Sequence, residues 1–212
     1  MRRPARSSGM PRWPLVCLVL AGCALQSADG PPAWASDRAE GGAARSSVAP
    51  PPLDGLDRRV HAEANAARAE AERPTTRWST RLASVAQAHS EDMARRGYFG
   101  HVTPEGVTPR ERGVAGGVAC RKPLSETEFR VGILENLYQT TRYANVVERR
   151  LGSTRTRTAE WFTPDEIART AVAGWLESPG HRRNLLDRDA DAQGVGVAVS
   201  PDSLVIVTQV LC

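Results

Sequence analysis

The sequence predicts an α+β fold, with helices packed on a largely antiparallel sheet. Segments of helical spacing with recognisable caps fill most of the chain body, and two β-branched runs with strand character close it. No internal repeat is present, which excludes solenoid architectures. At 212 residues the chain suits one ordinary domain with extensions.

Residues 1–22 contain Arg2, Arg3, Arg6 and Arg12 and no acid, followed by the short apolar run PLVCLVLAG. The run is too short to span a bilayer and has the length of a secretory signal's apolar core. Leu20-Ala21-Gly22-Cys23 then resembles the lipobox of bacterial lipoproteins, in which the cysteine becomes lipid-modified after cleavage. Plain signal cleavage and an uncleaved anchor are the alternatives. Stable attachment takes more than one acyl chain, which that modification supplies. The expected location is therefore a lipid-anchored or secreted protein of the bacterial cell envelope. The four arginines account for the whole formal charge of +4, so the rest of the chain is balanced and gives no electrostatic reason to expect a nucleic-acid partner.

Residues 23–52 are rich in Ala, Gly, Ser and Pro and read as a disordered tether. Its root-mean-square span is roughly 30 Å, enough to hold a domain just off a membrane. The folded domain is expected over 53–212. Residues 54–72 predict a first helix with Val60 and Ala64 on one face; Pro74 follows it. In the next segment Trp78, Leu82, Val85, Ala86, His89 and Met93 recur at helical spacing, with Ser79 as N-cap and Gly97 as C-cap. A third helix opens with Thr163 as cap, Pro164 in the first turn and Glu166 completing a capping box. Ser178-Pro179 predicts a restart with Ser178 as its cap. Finally "GVGVAV" and "LVIVTQVL", joined by Ser200-Pro201-Asp202-Ser203, predict an antiparallel hairpin.

Of the four cysteines, Cys17 would leave with the signal and Cys23 would carry lipid. Cys120 and Cys212 remain, either as one disulfide in an oxidising compartment or as two free, buried thiols.

Several stretches occur in a fixed order: Asn65-Ala66-Ala67-Arg68, Trp78-Ser79, "DMARRGYFGH", "ENL", "AVAGWLESPGHRRNLL", "GVGVAV" and "VTQV". Together they closely resemble the bacterial branch of the CAP (SCP) superfamily, which includes cysteine-rich secretory proteins, antigen 5 and pathogenesis-related proteins. The resemblance covers about residues 55–211. It implies a three-layer α–β–α sandwich with a cleft lined by histidines and glutamates. Carried over by position, these are His101, Glu135 and His181. The fourth position falls on Ser178, and Glu177, one residue short of it, is the nearest carboxylate. Residues 138–162, with Arg142, Arg149, Arg150, Arg155 and Arg157, look like an Arg-rich insertion: a solvated extension, or a basic lip for anionic lipid or glycan.

Two imidazoles and a carboxylate are a ligand set that leaves an open position on zinc, and without metal the same trio can hold a polar group or exchange a proton. Three readings follow. The first is a binding module for an envelope lipid, glycan or protein. The second is a metal-assisted hydrolase using zinc on His101, Glu135 and His181. The third is a structural hydrogen-bond network. Neither H-E-x-x-H nor G-x-S-x-G occurs, so there is no sign of a zincin or of a nucleophile elbow. Beyond the site, His89 reads as a core histidine, His61 as solvated, Asn184 as fixing a local turn, and Trp78 and Trp175 as core.

Overall fold

A central sheet covered on both faces by helices organises the domain. The computed structural model describes residues 46–47, 49–123 and 125–212. The signal over 1–22, Cys23 and most of the tether lie outside them. Within the stretch read as tether, β1 (Ser46–Ser47) pairs with a later strand. No helix among the described residues is long and apolar enough to cross a membrane.

The helices are α1 (Leu56–Glu70), α2 (Thr80–Arg96), α3 (Pro109–Ala115), α4 (Pro164–Glu177) and α5 (Pro179–Leu185). Ser79 caps α2 by accepting from the Leu82 N–H, and Gly97 ends it at φ 69°, a conformation that glycine adopts without strain. Thr163 and Glu166 form the reciprocal box at the start of α4. Ser178 stands at the N-cap of α5, but its side chain makes no capping bond, contrary to expectation.

The strands β2 (Arg77–Trp78), β5 (Leu134–Thr141), β8 (Ala192–Val199) and β9 (Leu204–Leu211) form the central sheet in the order β2-β8-β9-β5. Its long pairings are antiparallel, and only β2–β8 is parallel. This is the α+β class the sequence predicts. Side chains alternate between the two faces. Val195, Val205 and Val207 pack with α1, α4 and α5 around Leu56, Val60, Ile167, Val172 and Trp175. Ala192, Ile206 and Val210 face α2 and meet Leu82, Val85, Ala86 and Met93. The three layers follow from that alternation. Gly194 and Gly196 fall on the α2 face, where α2 lies against bare backbone.

Two small sheets complete the domain. β3 (Arg121–Pro123) pairs with β4 (Phe129–Val131). β6 (Tyr143–Leu151) and β7 (Thr154–Trp161) form a hairpin on which β1 adds a third strand. The expected insertion therefore begins later than 138, because Tyr138–Thr141 pair with β9 in the central sheet. The side chains of Arg155 and Arg157 lie outside those described.

Cys120 and Cys212 form a disulfide with a Cα–Cα distance of 5.5 Å across a separation of 92 residues. A cross-link over so long a loop restricts the unfolded chain and stabilises the fold by about 4 kcal/mol on chain-entropy grounds.

Candidate functional site

The free edge of β5 is where the two helical layers meet. Neighbouring residues of β5 point to opposite faces, so Glu135 turns toward α2 and Asn136 toward α5. Outward-facing carbonyls of an edge strand need partners, and here helix side chains supply them. Asn184 Nδ2 donates to the Glu135 carbonyl at 3.0 Å, and Trp175 Nε1 donates to the Leu137 carbonyl at 2.9 Å. Asn184 thus secures the strand edge rather than a local turn. Asn136 Nδ2 reaches the His181 carbonyl at 3.2 Å and Gln209 Oε1 at 2.9 Å. Gln209 Nε2 continues to Gln193 Oε1 at 2.6 Å, and Gln193 Nε2 to Asn65 Oδ1 at 3.5 Å. A row of amides, buried up to the half-buried Asn65, therefore crosses the sheet from α5 to α1.

Glu135 is the centre of the site. Its side chain is 2% exposed, and its carboxylate accepts from Arg112 Nη2 at 2.9 and 2.7 Å and from His101 Nδ1 at 2.9 Å. Arg112 comes from α3, whose start is fixed by a Thr108–Glu111 capping box. Its guanidinium also donates to the carbonyls of His101 (2.8 Å) and Val107 (3.0 Å), so it clamps the 101–107 loop onto β5. Because His101 Nδ1 donates to Glu135, the neutral ring carries its lone pair on Nε2. His101 is 45% exposed, so the ring is open to solvent while its anchor is buried. The His181 ring lies beside it, centroids 5.7 Å apart and planes inclined by 56°.

The structure brings His101, Glu135 and His181 close together. Glu177 is exposed in the last turn of α4. His89 is a core histidine as expected. Its Nε2 donates to the Gly100 carbonyl at 3.0 Å and lies 3.9 Å from Glu135 Oε1. His61 is not solvated: it is half-buried, edge-on to Trp78 at 5.3 Å, and its Nδ1 is buried without a partner. Arg112 went unnoticed in the sequence, although Thr108-Pro109-x-Glu111 repeats the helix-start signature of Thr163-Pro164-x-Glu166.

The donor set does not fit a three-ligand metal centre. Arg112 binds both oxygens of Glu135, and His101 turns its Nδ1 proton onto one of them. Among the described residues no group of three His, Cys, Asp or Glu side chains is placed to hold a metal ion. The arrangement instead offers a fixed imidazole lone pair beside a second imidazole.

Three histidines have depressed pKa values: burial, with the Arg58 charge adding to it, lowers that of the half-buried His61. Burial lowers that of His89, outweighing the pull of Glu135, and burial together with the His101 charge lowers that of His181. Below the ordinary histidine value of 6.5 the unfolded chain therefore takes up protons that the fold resists. The stability these neutral rings support is complete above pH 6.5 and declines as the pH falls from there. Melting curves between pH 7.5 and 5 should show Tm dropping from about pH 6.5 downward. The drop should be shallower in His89→Gln, which keeps a donor for Gly100; an identical slope in that variant contradicts this assignment.

The model of the cysteine-rich secretory protein (CAP) family matches residues 61–211. The chain belongs to the CAP family. A solved structure agrees with the fold. An outer surface protein from Borrelia burgdorferi is 16% identical, with 76% of this chain and 94% of that one covered and a TM-score of 0.53. An extracellular protein with an SCP domain from Bacillus anthracis is 25% identical, with 74% of this chain covered and a TM-score of 0.49. This chain spans only 40% of the length of the Bacillus protein. No curated protein matches the sequence significantly. In this CAP domain, then, the histidines and the glutamate come together at one sheet edge, and the glutamate is committed to an arginine.

Proposed function

We propose that the protein is an exported CAP-domain binding module, tethered to the cell envelope through Cys23, that holds a lipid headgroup, glycan or protein group between His101 and His181. The observation that carries this reading is the His101–Glu135 hydrogen bond, which leaves Nε2 as the outward acceptor. A lone pair held in a fixed direction suits a hydroxyl or amide donor on the partner. Glu135 and Arg112 are positioning residues here: Glu135 is buried, Arg112 is paired to both its oxygens, and together they set the ring from beneath. The rival hydrolase reading needs Glu135 as a metal ligand, and that carboxylate is engaged elsewhere.

Capture from solubilised envelope fractions tests the binding role. The wild-type chain should retain a partner that His101→Ala with His181→Ala loses, while both chains keep the same Tm. Equal retention would remove these rings from the account. Location is tested separately, by labelling with a palmitate analogue. Incorporation should vanish in Cys23→Ser, and equal incorporation in both chains refutes the anchor.

A further inference from the structure

A second site lies on the far side of α5. Arg73, just after α1, and Arg182, Arg183 and Leu186 of the α5 region line a shallow, open hollow of about 470 Å3, with Pro179 and Asp187 also on its lining. The charge around it is one-sided. Asp187 is already taken: both its oxygens receive the Arg130 guanidinium, and one also accepts the N–H groups of Asp189 and Ala190. Asp189 also acts on Arg130. Arg68, buried beneath, spends its donors on the carbonyls of Pro74, Leu185 and Ala190, so its charge has no hydrogen-bonded carboxylate. Arg73 Nε is buried and has no hydrogen-bond partner. Burying a charged donor without an acceptor is costly.

From this we infer that the Arg73–Arg182–Arg183 hollow binds the phosphate group of a phosphate ester. Guanidinium forks match the oxygens of a phosphate two at a time, and three of them exceed what a single carboxylate would need. Pro179 and Leu186 give the attached carbon skeleton an apolar wall. The site shares no residue with the His101 cluster and stands independently of the function proposed above.

Titration of the full chain with inorganic pyrophosphate, followed by calorimetry and by the Arg73 Nε–H NMR signal, tests it. Saturable binding is expected, with the Arg73 signal shifting. Arg182→Gln with Arg183→Gln, both exposed positions, should weaken binding by about tenfold or more while Tm is unchanged. Arg73→Lys, which keeps the charge but not the fork, should also weaken it, and His101→Ala should not. No saturable binding, or equal affinity in the double variant, overturns the proposal. The source of the phosphate is read from vesicles of phosphatidylcholine with phosphatidylglycerol, using a Cys23→Ser chain so that no anchor contributes. Arginine-dependent co-sedimentation assigns a membrane lipid. Pyrophosphate binding without co-sedimentation assigns a soluble or polymer-borne ester, and the site stands in either case.

Discussion

Gly196→Ala is expected to destabilise the domain by about 4 kcal/mol or more, enough to remove much of the margin of an ordinary fold. A Cβ at this position would lie 2.1 Å from the Gln87 nitrogen and 2.3 Å from the Ala86 carbonyl carbon. At Gly194 it would lie 2.0 Å from the Ala83 nitrogen. These obstacles are helix backbone, which cannot swing aside as a side chain can. The helix would have to lift, and lifting it breaks its other ties to the sheet. Gln87 donates to the Val197 carbonyl and accepts from the Val197 N–H, and Ser90 Oγ bonds Gly196 O and Thr208 Oγ1. Val85, Ala86 and Met93 would lose their packing as well. Gly180→Ala in α5 is the control, since nothing lies within 4 Å of its added carbon; it should be neutral or slightly stabilising. Denaturant midpoints compare the variants. A Gly196→Ala chain within about 1 kcal/mol of wild type would mean that α2 does not sit on β8 as described.

Arg112→Met should cost about 3–5 kcal/mol, the range for removing one partner of a buried ion pair. Arg112 is 12% exposed and Glu135 2%, so solvent cannot replace the lost donors. The penalty is mainly that of stranding a buried carboxylate. Glu135→Gln in the same chain should therefore recover part of the loss, an interaction between neighbours that independent sites do not show. Partner capture should fall in Arg112→Met even where the fold is rescued, because the 101–107 loop loses two carbonyl anchors. A cost below about 1 kcal/mol would show the pair to be dispensable.

The parts of this fold governed by local chemistry were legible. α2 and α4 carry their caps and apolar stripes in the sequence, and the C-terminal hairpin announces itself through β-branched runs around a turn. The pairing of Cys120 with Cys212, left open against free thiols, resolves as a disulfide. β5 was unreadable for a physical reason. Glu135 and Asn136 are both buried, and each is satisfied by side chains far along the chain, so apolar alternation fails where the site is built. The β6–β7 hairpin was read only as an insertion, although Thr154-Arg155-Thr156-Arg157-Thr158 alternates with period two. At the site, family position brought His101, Glu135 and His181 together. Nothing in a run as charged as Arg110-Glu111-Arg112 says which residue reaches β5, and His61 lacks any local sign of its contact with Trp78.

The buried amides of Asn136, Gln209 and Gln193, continued by the half-buried Asn65, act as a proofreading key for strand alignment. A slip of β9 by one residue would turn Gln209 into the opposite helical layer and deprive Asn136 and Gln193 of their shared neighbour. Misaligned sheets are thereby penalised at several strands at once. The His101–His181 pair inherits its spacing from that alignment, because its two supports belong to different layers joined through β5.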